Sequence, residues 1–497
     1  MLRFSPNPNC ANLIRWLEND DEAFEKARAE KKPVMLFLAA FWCGYCQRMD
    51  EGAFSERENL ALLNAYFVPL RVENAARPDI DARYNLNGWP TIAFFSPAGA
   101  LMAVANYLAG DSFKELLLQV LMAYRNETDD AAAEARARAS AEAPGREPEI
   151  PASRVLEQLT AAIMAQIDRV NGGYGSGQKF LHPAANDFLL GRYESSGERS
   201  YLAHVCQTLE RMRVAEIYDC AAGGYFRTAS GADWSQPHRE KLLSEQTGLL
   251  SNCLAVFRLT GKQKYAAMAE EIVHYLDSRL YAPDYPAFFG CEDFPKREGT
   301  ASAAENNDVL IDRIIYVDAN AAAARAYLDA ARLLGQPEWR ERALSVVEFL
   351  WERCRSEAGM YHFFDGAPQL SGLLIDQAEA GRALLAAERA TGDRRYLERA
   401  RQLAETIIAR LKNGAGGYYD IIPSQSGFSR IRLIDTEQNG SAASFFLDLW
   451  QATGDPRYRE AARWALRARA SDVVASGVHA ARFGSALNRY LWLVDLY

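Results

Sequence analysis

FWCGYC, residues 41–46, follows the apolar run VMLFLA at 34–39 and precedes a helical pattern that begins near Gln47. Two thiols three positions apart at the start of a helix predict a redox pair. Backbone N–H groups and the positive helix end stabilise a thiolate on Cys43, and Cys46, one turn later, can resolve a mixed disulfide. Zinc sites share this spacing but usually add a second ligand pair of similar type, which the sequence lacks. We therefore predict no metal site.

A second motif, NGWPT at 87–91, precedes the strand-like segment IAFF. A proline that opens a strand suits a cis peptide bond. In the thioredoxin fold such a proline faces the dithiol, beside backbone that pairs with an extended substrate. We predict a thioredoxin-like α/β domain over 1–125, with strands near 33–39, 66–73, 91–96 and 101–105 and a closing helix over about 111–125. Its substrate groove would be shaped by Trp42, Tyr45, Trp89 and Pro90.

One position departs from the thioredoxins that act as general reductants. They carry a buried aspartate six residues before the first cysteine, where this chain has Phe37. Proton transfer to Cys46 must then pass through water or another group, which argues against a fast, general reductase role. Tyr45 stands where many dithiol motifs have proline, and this shifts the reduction potential.

Bulk properties bound the function. The chain has 497 residues, 49% of them hydrophobic, and a net charge of −9, so we expect more than one core and no nucleic-acid partner. No apolar stretch is long enough to span a membrane, and we expect a cytoplasmic protein without membrane contacts. The six cysteines outside the dithiol are scattered singly, and in a reducing compartment such cysteines are most often buried, so we expect most of them to be buried. No glycine-rich nucleotide motif occurs, and we predict no cofactor.

Beyond residue 125 the composition changes and then repeats. Residues 126–152, rich in Ala, Glu, Arg and Pro, are predicted to be a linker, and 153–497 a second domain. Five turns there share a glycine followed four positions later by an aromatic residue, as expected where one helix stops and the next begins. The glycines are Gly197, Gly261, Gly335, Gly392 and Gly454.

A second series of turns falls between these glycines and combines glycine with aromatic residues, as in GGYG at 172–175, GGYF at 223–226 and GGYY at 416–419. Alternating turns of two kinds predict helical hairpins that close into an all-α (α/α) toroid, with the aromatic loops at one mouth. An open helical solenoid is the alternative. Glycines beside aromatic rings favour the closed ring, since they suit a sugar-like ligand.

Several motifs carry a family resemblance: RPDID at 77–81 leading to GWP at 88–90, GGYG at 172–175, GGYFR at 223–227 and PHREK at 237–241. On these the chain resembles the YyaL-like, spermatogenesis-associated thioredoxin-domain proteins, and the resemblance implies a thioredoxin-like domain joined to an α/α toroid. The family usually has histidine after each dithiol cysteine, where this chain has Gly44 and Gln47, and glutamates where it has Ala75 and Ala76.

The predicted toroid resembles those of N-acylglucosamine epimerases and six-hairpin glycosidases, which implies a site at the ring mouth built from histidines or paired carboxylates. The candidates are Tyr174, Tyr225, Arg227, Asp233, His238, Glu240, Glu245, Asp376, Tyr418, Asp435 and Glu437. Each also has a structural interpretation. The tyrosines could be packing, His238 could cap or pack a helix that starts at Pro237, Asp233 and Asp435 could be N-caps, and Arg227 could pair with a carboxylate.

Three hypotheses follow for function. The first is a thiol-disulfide oxidoreductase with protein thiol or disulfide partners. The second is a carbohydrate-active enzyme, an epimerase or glycoside hydrolase, that acts on a sugar-like small molecule and has a regulatory or vestigial dithiol. The third makes the toroid a binding module that presents partners to the dithiol.

Overall fold

A computed structural model describes residues 2–126, 152–294, 309–423, 427–468 and 470–496. The chain forms two compact units. The first contains the N-terminal residues together with Ile421–Leu433, and the second contains the helical repeats. Most of the predicted linker, 127–151, lies outside the described residues, so that boundary stays a prediction.

The first unit has a four-stranded sheet in the order β2-β1-β3-β4. The strands are β1 (Val34–Ala39), β2 (Val68–Glu73), β3 (Thr91–Phe95) and β4 (Leu101–Ala105). β2 is parallel to β1, while β3 runs antiparallel to both β1 and β4. All residues of β1 and β3 are buried, as expected for central strands covered on both faces. The four predicted strands are confirmed.

Five helices accompany this sheet: α1 (Asp20–Glu30), α2 (Gly44–Glu51), α3 (Arg57–Tyr66), α4 (Pro78–Tyr84) and α5 (Gly110–Asn126). Alternate residues of β1 enter two separate cores. Phe37 packs in one core with residues of α2, α3 and α5, whereas Leu36 and Leu38 pack in the other with residues of α1. A short 3₁₀ turn, Ala11–Leu13, precedes α1. The predicted thioredoxin-like fold is confirmed.

Six helices of the second unit each contact two others of the same set, so they close into a ring. In order around the ring, these inner helices are Pro183–Ser196, Leu243–Thr260, Val317–Leu334, Leu374–Thr391, Thr436–Thr453 and Ala481–Leu496. The outer helices are Ala152–Ala165, Arg199–Val214, Gln263–Tyr275, Pro337–Arg353, Arg394–Arg410 and Pro456–Ala465. The α/α toroid is confirmed, and the open solenoid is wrong.

The five repeated glycines end five of the inner helices. Each is the C-cap residue, and its φ lies between +67° and +74°, a left-handed conformation that glycine adopts without a Cβ penalty. Of the aromatic residues four positions later, Tyr265, Tyr396 and Tyr458 are buried. The turn signature therefore marks one end of the hairpins, as predicted.

The other end of the toroid carries short strands between outer and inner helices. They are Lys179–Phe180, Thr228–Ala229, Pro237–His238, Lys241–Leu242, Cys291–Asp293, Leu310–Asp312, Ile315–Tyr316, Arg355–Ser356, Gly359–Phe364 and Pro368–Ser371. Further short helical elements are Leu276–Leu280, Ala470–Ser476 and Gly477–Ala480. The glycine-aromatic loops lie at this end.

A side-chain amide one turn into an inner helix anchors each of four aromatic loops. Gln246, Asn320, Gln377 and Asn439 are the fourth residues of their helices, and all are fully buried. Each accepts a hydrogen bond from one loop N–H and donates to the C=O of the same residue. Asn320, for example, accepts from Phe288 N at 2.7 Å and donates to Phe288 O at 2.9 Å. We call these four residues the amide clamps.

The segment Ile421–Leu433, which lies in sequence between two toroid helices, packs in the first unit. The ring of Phe428 lies within 5.0 Å, centroid to centroid, of Phe24, Tyr84 and Phe95. Phe428 N donates to Asp20 Oδ2 at 2.7 Å, and Asp20 Oδ1 accepts from Arg77 at 2.6 Å. The RPDID motif thus helps to hold this segment.

Candidate functional site

The dithiol lies at the start of α2, where Cys43 is the N-cap residue. Its Sγ accepts a hydrogen bond from Cys46 N at 3.0 Å, and Cys43 and Cys46 form a disulfide. A sulfur at an N-cap faces unpaired helix N–H groups and the positive helix end, and both favour a thiolate there. The geometry therefore suits Cys43 as the attacking thiolate and Cys46, inside the helix, as its resolving partner.

Aromatic side chains flank the disulfide. Trp42 and Trp89 meet edge to face with centroids 5.2 Å apart, and Trp89 Nε1 donates to Asp81 Oδ1 at 2.9 Å. The peptide bond between Trp89 and Pro90 is cis, as predicted. The predicted groove residues Trp42, Trp89 and Pro90 are therefore held on two loops of the same unit, 40–43 and 85–90.

Tyr45, inside the dithiol motif, is 54% exposed and packs against Tyr107, which is 39% exposed, with ring centroids 5.3 Å apart. Exposed aromatic rings beside a disulfide form an apolar surface that an unfolded or extended polypeptide can contact. This surface was predicted at Tyr45, whereas Tyr107 carried no motif and was missed.

The position that is aspartate in general thioredoxin reductants is buried phenylalanine here. Phe37 packs edge to face on Phe54, and the Arg71 guanidinium lies 4.8 Å from its ring centroid. Arg71 makes two hydrogen bonds, of 2.7 and 3.0 Å, to Asp50 on α2, four residues after Cys46. Burial raises the pKa of Asp50, while Arg71 opposes that rise. The buried carboxyl group of this region is therefore that of Asp50 on α2, whereas general thioredoxin reductants carry theirs at the position of Phe37 on β1.

The tyrosines of the aromatic loops do not offer ring faces to a ligand. Tyr174, Tyr225 and Tyr418 are each at most 3% exposed, and the amide clamps hold two of these loops through Tyr225 and Tyr418 backbone. Their rings are interior packing, which corrects the expectation that they line the mouth. The glycines permit this close approach, since a Cβ at Gly224 would lie 2.9 Å from the Tyr275 ring.

The candidates of segment 227–240 separate into paired and exposed groups. Arg227 bonds Glu240 at 2.7 Å in an ion pair, the structural interpretation considered from sequence. His238 is exposed, lies 3.2 Å from Ser230 Oγ and belongs to a strand, so the prediction of a helix start at Pro237 is wrong. Asp233 is also exposed, bonds Ser235 and caps none of the described helices.

The remaining carboxylates share one kind of position. Glu245, Asp376 and Glu437 lie in the first turns of three inner helices. Asp435 instead caps the helix Thr436–Thr453, accepting from Gln438 N at 2.7 Å. Because the inner helices start at the same end of the ring, these four carboxyl groups lie at that end.

Burial shifts Glu245 and Glu437 toward the protonated form. It raises the pKa of Glu245 to about 7, with Arg227 and Arg482 opposing, and Glu245 Oε2 has no hydrogen-bond partner among the described residues. Burial likewise raises the pKa of Glu437 to about 7, although its Oε1 accepts from Arg482 N at 3.0 Å. Groups that titrate near neutral pH can act as acids or bases.

Three residues of this region were missed from sequence. Asp318 lies in the first turn of the inner helix Val317–Leu334. His362, on strand Gly359–Phe364, contacts Asp376 through Nδ1 at 3.0 Å. Arg482, on the last inner helix, interacts electrostatically with Glu437 and Asp318. The repeat held a signal for Asp318, since an acidic residue one or two positions after a helix start recurs in four inner helices.

The exposure of the single cysteines also differs from prediction. Cys253, Cys291 and Cys354 are buried as expected, but Cys10 and Cys220 are exposed. Within the described ranges, no helix combines the length and apolarity that crossing a membrane requires.

Fold and site together define a two-unit protein: a thioredoxin-like unit that carries a cysteine pair, and an α/α toroid. Residues 7–142 match the family model Thioredox_DsbH, whose description is a protein of unknown function, DUF255. Human spermatogenesis-associated protein 20 is 26% identical over 308 residues, which is 57% of this chain and 39% of that protein. The predicted family resemblance is confirmed. The chain spans about two fifths of the length of the human and mouse spermatogenesis-associated proteins.

Each unit also has its own similarities. Thiol:disulfide interchange protein DsbD 1 of Pseudomonas aeruginosa is 35% identical over 82 residues, 16% of this chain and 14% of that protein. Cellobiose 2-epimerase from Spirochaeta thermophila superposes with a TM-score of 0.55 at 15% identity, covering 70% of this chain and 98% of that one. At this identity the likeness shows the toroid fold alone.

Proposed function

We propose that the N-terminal unit exchanges thiols and disulfides with protein partners. The observation that carries the proposal is Cys43 Sγ at the N-cap of α2, 3.0 Å from Cys46 N, where the helix end favours a thiolate. The similarity to a thiol:disulfide interchange protein over part of the chain supports it.

The chemistry is a pair of exchange steps. In the reduced protein, the Cys43 thiolate attacks one sulfur of a partner disulfide, so that a mixed disulfide forms and the other partner sulfur leaves as a thiolate. The Cys46 thiolate then attacks Cys43 Sγ, which forms the Cys43–Cys46 disulfide and releases the second partner thiol. The partner gains two electrons and the cysteine pair loses two. The reverse sequence oxidises a partner dithiol.

Trapping tests this proposal. Cys46→Ser removes the resolving thiol, so we expect it to accumulate mixed disulfides on Cys43 with protein partners, visible as reductant-sensitive bands and identifiable by mass spectrometry. The matched control is Cys43→Ser with Cys46→Ser, which keeps the exposed thiols Cys10 and Cys220. Equal adduct formation by the control would show that surface thiols, and not the motif, form the adducts.

We propose as a second candidate that the toroid acts on a sugar-like small molecule. The observation in its favour is the set of first-turn carboxyl groups at one end of the ring, two of which have pKa values raised to about 7. Turnover or binding of reducing sugars that survives Cys43→Ser and is lost in Glu245→Gln would support this candidate. Loss of all sugar binding only in Cys43→Ser would contradict it.

A further inference from the structure

The described part of the toroid contains one cluster of three side chains that could ligate a metal ion: Asp318, His362 and Asp376. Each offers one ligand atom, and these three atoms lie within 4.8 Å of one another. His362 Nδ1 lies 3.0 Å from Asp376 Oδ1 and 3.1 Å from Oδ2. His362 and Asp376 are buried, and Asp318 is half-buried. The cluster is therefore interior, with one member that opens toward solvent.

The three side chains stand on rigid elements. Asp318 and Asp376 lie in the first turns of two neighbouring inner helices that pack on each other. His362 lies on a strand that the amide clamp Gln377 ties to the helix of Asp376, through bonds to Met360 N at 2.7 Å and Met360 O at 3.1 Å. The ring of Tyr316 packs on His362 with centroids 5.8 Å apart. Ligands held in this way need little reorganisation to bind an ion.

The donor set selects a class of ion. One imidazole nitrogen and two carboxylate oxygens suit Zn²⁺ and other first-row divalent ions, whereas Mg²⁺ and Ca²⁺ prefer oxygen ligands alone. With bonds of about 2.0 to 2.2 Å, neighbouring ligand atoms stand about 3 to 3.5 Å apart. The separation between His362 and Asp376 meets this requirement. The Asp318 ligand atom lies within 4.8 Å of the other two, and we expect this half-buried side chain to move closer when an ion binds.

Charge supports the same assignment. Two carboxylates, the buried Asp376 and the half-buried Asp318, meet one imidazole. Arg482 interacts electrostatically with Asp318, but also with Glu379 and Glu437. Buried carboxylates without a matched positive charge are costly, and a divalent ion supplies that charge.

We propose that Asp318, His362 and Asp376 form a binding site for a divalent transition-metal ion of the Zn²⁺ type at the carboxylate-bearing end of the toroid. Three protein ligands leave at least one coordination position for water or a ligand oxygen. The site belongs to the second unit and the dithiol to the first, and this proposal does not rest on the proposed thiol-disulfide exchange. It revises the prediction from sequence, which rested on cysteine spacing and found no metal site.

The test uses Co²⁺ as the probe, because its visible absorption reports coordination. The 497-residue chain is kept in the Cys43–Cys46 disulfide form. Its free thiols are alkylated with iodoacetamide, so that accessible thiols do not bind the ion. We expect saturation at one Co²⁺ per chain, competition by Zn²⁺, and a rise in the thermal unfolding midpoint on adding Zn²⁺.

Asp318→Asn and His362→Gln should each weaken Co²⁺ binding at least tenfold and abolish the shift of the unfolding midpoint. His274→Gln and Asp329→Asn, which alter an exposed histidine and an exposed aspartate outside the cluster, should bind as wild type does. Far-UV circular dichroism checks folding, and if His362→Gln does not fold, the half-buried Asp318→Asn decides. Absence of saturable binding, or unchanged affinity in Asp318→Asn, would overturn the site.

Discussion

At the scale of single residues, Glu437 shows how burial changes the pKa of a carboxyl group. Its pKa rises from 4.5 to about 7 because burial disfavours the charged carboxylate. The folded chain therefore keeps a proton that the unfolded chain releases above pH 4.5. This contribution to stability is fully present below pH 4.5 and is lost as the pH rises through 7.

Replacing Glu437 by glutamine should remove this pH dependence. Between about pH 5 and 6.5 the unfolding free energy should fall with rising pH in wild type more steeply than in Glu437→Gln. The difference between the two slopes should be about 1.4 kcal/mol per pH unit. Urea unfolding at a series of pH values measures both slopes. Asp233→Asn, at an exposed site, should keep the wild-type slope, and identical slopes in wild type and Glu437→Gln would contradict the account.

The sequence revealed residues whose role follows from local spacing. Cys43 and Cys46 were found because two thiols one helical turn apart form a recognisable motif, and Pro90 because it opens a strand. Asp318 and His362 form no such motif with Asp376, and the packing of two neighbouring inner helices and strand Gly359–Phe364 brings the three together. Asp50 was missed for a related reason, since its partner Arg71 lies on a strand distant in sequence.

At the scale of elements, the amide clamps explain why the aromatic loops repeat. Each clamp pairs both backbone polar groups of one buried loop residue. The glycine and tyrosine signature was visible in the sequence, but it suggested ligand stacking, because a repeated aromatic residue is compatible with either packing or binding. The buried Asn and Gln side chains decide between these two roles.

Asn320→Ala should lower the unfolding free energy of the toroid by about 2 to 6 kcal/mol. It leaves Phe288 N–H and C=O buried without partners, at about 1 to 3 kcal/mol each. Gln402→Ala, which removes an exposed amide, should change stability by about 0.5 kcal/mol or less. Urea unfolding followed by far-UV circular dichroism makes the comparison, and equal stability of the two variants would show that the clamps are dispensable.

At the scale of the whole molecule, chain order and structural unit do not coincide. Ile421–Leu433 belongs to the first unit although toroid helices precede and follow it. Sequence analysis placed it in the second domain, because its composition resembles any long loop and its partners Phe24, Tyr84 and Phe95 are distant in sequence. The segment covers one of the two cores of the first unit.

Phe428→Ala should therefore destabilise the first unit by about 3 to 5 kcal/mol, since it removes a buried ring that contacts three others. Hydrogen exchange read by mass spectrometry should show faster exchange of amides in β1 and β3. Leu13→Ala, at a position that is 61% exposed in the same unit, is the control and should leave this exchange unchanged. Unchanged protection in Phe428→Ala would mean that the segment rests on the unit without stabilising it.

The central claim, that Cys43 and Cys46 are a working redox pair, is tested most directly by their reduction potential. The protein is equilibrated in glutathione or dithiothreitol buffers of graded potential, and free thiols are counted. We predict one two-electron transition that exposes two thiols between about −120 and −270 mV, the range of thioredoxin-fold oxidoreductases. Cys43→Ser should show no such transition. A wild-type protein with no transition across this range would contradict the claim.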